Sequence, residues 1–162
     1  MRMFAEERKN GTEQLLLTSP RSITSIVLGK FIAAALIMAI TIALTMIYFV
    51  ILSFFGKPSL AVALNTLLGF FLLSLAYISF GMFASSITEN QIVASVVTIG
   101  VFMAMWFLPE TLPILDIFAL IFKFENYAIG LISIADVVTF ISFTLLFILL
   151  TIITLQRRKS VK

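Results

Sequence analysis

Four long apolar segments, joined by polar stretches whose positive charges fall almost wholly on one side, constrain this chain more than any other feature. They span residues 23–55, 60–86, 92–108 and 137–155. The interior charge among them is Lys30, near the start of the first and placed to reach back toward lipid headgroups. A helix rises about 1.5 Å per residue, so roughly 20 apolar residues cross a hydrocarbon layer ~30 Å thick. The first two segments exceed that length, and the third stands at the short limit. Threaded in alternation, they put residues 1–30, the turn 85–91 and the tail on one side, and residues 56–59 and 109–136 on the other. Of the 11 Lys and Arg, Arg2, Arg8, Lys9, Arg21, Lys30, Arg157, Arg158, Lys159 and Lys162 fall on the first side, against Lys57 and Lys123 on the second. The bias of basic residues toward the cytoplasm predicts that both termini lie there. The expected fold is an all-α membrane protein with four transmembrane helices, multi-pass in the cell membrane.

Composition excludes the alternatives. Charged residues make up 12% of the chain, about half the share in a soluble domain, and 61% is hydrophobic. A soluble fold of 162 residues cannot bury that much apolar surface, whereas lipid solvates it. The net charge of +3 does not point to nucleic acid, because the basic residues sit where a membrane boundary places them. Without Cys or His there is no disulfide, no thiol nucleophile and little scope for zinc. The carboxylates flank the apolar segments, so none marks a proton or ion path at mid-membrane depth.

The leading segment, residues 1–22, reads as two short cytoplasmic helices. The first covers residues 2–9 and stops at Asn10 and Gly11, since Gly tolerates a left-handed helix end. Thr12 then caps a second over residues 13–18, with Glu13 at its positive end and Ser19 and Pro20 closing it. Leu15, Leu16 and Leu17 cover much of that second helix, which lies on headgroups or faces a cytoplasmic partner.

Small residues mark helix-packing faces: Ala35, Ala39 and Ala43 in the first segment, Gly81 and Ser85 in the second, Gly100 and Ala104 in the third. Thr88 and Gln91 have capping-box spacing ahead of the third. Residues 109–136 are too polar to span and too apolar for a free loop. Pro109 and Pro113 break the chain there, and the rest reads as an extracytoplasmic helical segment, re-entrant or interfacial. Asp136 falls at the start of the last helix, where its charge suits the dipole.

Two stretches resemble a known family. Phe4, Ala5, Glu6, Glu7, Arg8, Lys9, Asn10, Gly11 and Thr12, followed by Leu15 to Pro20 and by Leu28, Gly29, Lys30 and Phe31, are similar to the cytoplasmic signature of ABC-2 type permeases. Gly81 through Ala94 resembles the turn between the fourth and fifth helices of that family, in detail the gliding-motility-permease subfamily, as do Phe124 to Tyr127, Gly130 and Asp136 to Val138. Glu13 and Gln14 depart from that pattern, as does Lys123 where the subfamily tends to have His. The family has six membrane helices, so the resemblance implies a single permease domain over residues 1–162 that lacks the first two.

The resemblance further implies a permease subunit of an exporter, partnered by an ATP-binding-cassette subunit and by a second permease, as homo- or heterodimer. ATP and magnesium would be held by the partner, with no cofactor and no catalytic residue on this chain. The coupling residues would be Glu7, Arg8, Gly11, Thr12, Glu13, Leu16, Leu17 and Pro20, with Leu16 and Leu17 filling a groove on the ATPase. An intramembrane protease is disfavoured by the lack of His. A non-transporting scaffold or regulatory subunit is the remaining alternative.

Overall fold

The computed structural model describes residues 2–9, 11–12, 22–111 and 120–161. Every regular element among them is helical: α1 (Arg2–Lys9), α2 (Ile23–Phe55), α3 (Leu60–Ile87), α4 (Gln91–Thr111), α5 (Leu120–Ala128) and α6 (Ile134–Val161). Three of these, α2, α3 and α6, are long and apolar enough to cross a membrane. The apolar run of α4, Gln91–Phe107, falls short of that measure.

The helix ends follow local chemistry. Ser22 caps α2 by accepting the Ser25 N–H at 3.3 Å. The capping box expected from Thr88 does not form. Thr88 instead closes α3, its N–H and its hydroxyl both donating to the Ala84 carbonyl. Asn90 takes over as the cap of α4, its Oδ1 accepting the Ile92 N–H at 2.9 Å. Glu89 therefore lies in the bend before the helix rather than in its first turn. Nor does Pro109 stop α4, which runs on to Thr111. Proline removes one N–H donor and crowds one carbonyl, a disturbance that membrane helices absorb. After α5 the chain reverses through Gly130, at φ 88°, with Leu131 N–H on the Asn126 carbonyl and Gly130 N–H on that of Tyr127. That is the paired bonding of a Schellman stop, which favours glycine at the left-handed position.

Helix α3 is the hub, packing on α6, α5, α2, α4 and α1. Nearly half of its apolar window is buried, against 6% for α2, so α2 is peripheral and most of its surface is left to lipid or another chain. Tyr77 stacks on Phe102 at 4.0 Å between α3 and α4, and Phe80 meets Phe147 of α6 edge-on at 4.9 Å. Such ring pairs contribute about 0.5–1.5 kcal/mol each beyond burial, which matters where lipid weakens any hydrophobic drive between helices. Three threonine hydroxyls within the helices are satisfied by their own helix. Thr98, Thr144 and Thr151 each donate to the carbonyl four residues back at 2.7–2.8 Å.

Two ends of the bundle result. One gathers α1, the start of α2 and the last turns of α3 and α6, so the basic side inferred from the sequence is also one end of the structure. At the other, α5 packs on the first half of α3 and on the first turns of α6. Its Tyr127 ring sits directly on Gly69, and its Tyr127 carbonyl accepts from Asn65 Nδ2 and Thr66 Oγ1 at 3.3 and 3.4 Å. Asn126 Nδ2 donates to Asp136 Oδ2 at 2.9 Å, and Lys123 Nζ stands 3.9 Å from the other carboxylate oxygen. Burial, with the nearby Asp136 charge, raises the Tyr127 phenol above its usual value and keeps it neutral.

Candidate coupling face

An eight-residue helix is too short to hold its shape in water, so α1 owes its order to what it docks on. Its buried face is Phe4 and Ala5. Phe4 enters an apolar cluster with Ile23 and Val27 of α2, Met82 of α3, and Ile148, Ile152 and Leu155 of α6. A helix start leaves four N–H groups unbonded. Here one of them, on Phe4, donates to Ser85 Oγ at 3.1 Å, and the Ala5 N–H reaches the same oxygen at 2.9 Å. A hydroxyl on α3 thus caps α1 across the fold.

The charged side chains reinforce this. Lys30 pairs with Glu7 Oε1, and its ammonium lies 4.4 Å from the centre of the Phe4 ring. It is held by α1 rather than directed at headgroups, because a carboxylate and a ring face are within its reach. Thr12 donates its hydroxyl back to the Glu7 carbonyl at 3.1 Å, while Gly11 takes a left-handed φ of 72°. Arg158 Nη2 donates to the Ile87 carbonyl at 3.1 Å, tying the end of α6 to the end of α3. The pieces form one strap. A displacement of α1 pulls directly on α2 through Lys30 and on α3 through Ser85.

Of the coupling residues named from the sequence, Glu7, Gly11 and Thr12 are brought to this face. Arg8 lies within α1. Glu13, Leu16, Leu17 and Pro20 fall outside the described residues. Of the small residues, Gly81 and Ser85 are buried, Ala35, Ala39 and Ala104 are half-buried, and Ala43 and Gly100 are exposed. Nothing lies within 4 Å of where a Gly100 side chain would begin. Three residues with structural weight escape the sequence reading, Ser85 as an acceptor and Asn65 and Gly69 at the far end, while Tyr127 enters it only within the family-like stretch. An amide within an apolar run was the available signal for Asn65. No group of three or more acidic, His or Cys side chains comes together among the described residues.

Taken together, the apolar spans and the strapped basic end define a multi-pass helical membrane protein. Comparison with protein families gives a match to the ABC-2 family transporter protein model over residues 1–159, and the chain belongs to that family. It is accordingly a membrane permease component of an ABC transporter. Comparisons with curated proteins and with solved structures gave no match.

Proposed function

We propose that this chain is the permease subunit of an ABC exporter of the gliding-motility-permease type, driven by an ATP-binding-cassette subunit that docks on residues 1–22. The observation that carries the reading is the strap. Ser85, Lys30 and Phe4 join α1 to the ends of α2, α3 and α6, immediately ahead of the segment in which Leu16 and Leu17 would meet the ATPase. ATP and magnesium sit on the partner. Their binding favours one arrangement of the strap over the other, and this differential shifts the membrane helices. A second permease subunit completes the pathway.

In this reading α4 also crosses, the third of four crossings along the chain. Its 21 residues rise about 31 Å, enough for the hydrocarbon layer. The basic end is cytoplasmic, and α5 belongs to the extracytoplasmic side as a re-entrant or interfacial helix. The chain has no native Cys, so single Cys residues report sidedness cleanly. Placed at exposed Glu89 and Ser59, they are expected to react with an impermeant maleimide only from the cytoplasm and only from outside, respectively. Outside labelling at Glu89 would reverse the orientation and remove the ATPase docking face.

A further inference from the structure

The first half of α3 hides two residues, and a single residue of α5 meets both. Across residues 60–72 the buried positions are Asn65 and Gly69. The Tyr127 ring covers Gly69, and the Tyr127 carbonyl takes the Asn65 amide. On α6, Asp136 is the buried position among residues 134–139. Among the described residues both partners of its carboxylate, Asn126 and Lys123, come from α5. At the end away from α1, then, α3 and α6 each pack through α5.

Helical spacing explains how one short helix reaches two others. Residues three apart share a face, so α5 carries two adjacent rows. Phe124 and Tyr127 form one row, on Phe70 and Gly69 of α3. Lys123 and Asn126 form the next, on Thr139 and Asp136 of α6. Tyr127 also faces Phe140 of α6, with ring centres 6.2 Å apart, and so stands between the two helices. Nine residues do not hold a helix alone, so the order of α5 depends on both rows.

We propose that α5 is a clamp that keeps the far ends of α3 and α6 together, with Asp136 as the positioning residue that seats it. Elsewhere these two helices meet without an intermediary. Phe80 lies against Phe147 at mid-length, and Arg158 reaches the Ile87 carbonyl at the basic end. The apolar row gives α5 contact area but little direction. The polar row gives direction, because a hydrogen bond weakens steeply when its angle is lost. A turn or slide of α5 would leave a buried carboxylate unpaired, a costly arrangement that holds the helix in register. The clamp needs no ATPase and stands apart from the coupling reading.

The test is hydrogen exchange of the full chain in lipid nanodiscs, paired with a distance between two nitroxides. These are carried by Leu64→Cys and Val138→Cys, exposed positions on the clamped ends of a chain with no native Cys. Asp136→Ala takes the acceptor from Asn126 and the counter-charge from Lys123. Exchange in α5 is expected to rise at least tenfold and the nitroxide separation to lengthen, while α1 exchanges as before. Asn126→Ala, made on α5 itself, leaves α3 and α6 intact and is expected to move both readings in the same direction. Asp136→Asn keeps an oxygen for the Asn126 amide and is expected to preserve the separation. Unchanged α5 exchange in Asp136→Ala and Asn126→Ala would remove Asp136 from the proposed role. Faster α5 exchange at an unchanged separation would show that α5 docks without clamping.

Discussion

Replacing Ser85 with alanine is expected to free α1 from the bundle. The change removes the acceptor for the Phe4 and Ala5 N–H groups and supplies no other. Ser85 and Ala5 are both wholly buried, so water does not readily substitute. An unsatisfied buried donor costs about 1–3 kcal/mol, so loss of the Phe4 partner alone costs about 2 at mid-range. At 1.4 kcal/mol per factor of ten, exchange of those amides with solvent deuterium should accelerate about 30-fold or more. Ser79→Ala provides the contrast. That hydroxyl donates to its own helix at the Ala76 carbonyl, which keeps its ladder bond when the hydroxyl goes. Little change in α1 is expected there. Equal α1 exchange in Ser85→Ala and the unaltered chain would mean that the cap across the fold does not hold the helix.

Gly69→Ala carries the second large effect, at the opposite end. Helix propensity alone argues for stabilisation, since alanine in a helix is favoured over glycine by about 0.5–1 kcal/mol. Contact geometry argues the reverse. The added methyl would stand 2.5 Å from Tyr127 Cγ and 2.6 Å from its Cβ. Those atoms lie at the root of the side chain, where rotation cannot clear them, and the Tyr127 carbonyl is tethered by Asn65 and Thr66. Overpacking of this kind costs about 1–3 kcal/mol, and the upper end applies when the backbone must move. The clash outweighs the propensity. A net loss of about 2 kcal/mol is expected in a detergent-denaturation midpoint, with α5 displaced. Combining Gly69→Ala with Tyr127→Gly, which removes both clashing atoms, should recover more than 1 kcal/mol relative to the sum of the single changes. Strict additivity would show that the ring and the glycine are not coupled.

The parts that proved legible in the sequence are those set by hydropathy. Residues 23–55 were read as one segment and form one helix, because nothing inside breaks the pattern and Gly56, Lys57 and Pro58 stop it. The last helix was read too short at both ends. Ile134, Ala135 and Asp136 precede the apolar run, and Gln156, Arg157, Arg158 and Lys159 extend it with polar side chains that favour helix while giving no hydropathy signal. Lys30 shows a second limit. From the sequence its natural destination was the headgroups, and only the fold brings Glu7 and Phe4 within its reach. Ser85 was visible as a small residue, with packing as the expected role. Its use as an acceptor depends on α1 arriving from 80 residues away, which periodicity cannot register. The pairing of Gly69 with Tyr127 is invisible for the same reason, since each acquires its meaning from the other.

The most direct measurement of the central proposal is the ATP hydrolysis that accompanies this chain when it is affinity-purified from its native membranes. The account predicts a co-purifying ATP-binding-cassette subunit with measurable turnover. It also predicts that Leu16→Asp, inserted in the membrane to the same level, loses that activity at least tenfold. A buried unpaired charge at the contact costs about 3 kcal/mol or more, close to a hundredfold in affinity. Purification of the chain with no associated ATPase, or with an ATPase indifferent to Leu16→Asp, would contradict it and favour a membrane scaffold that transports nothing.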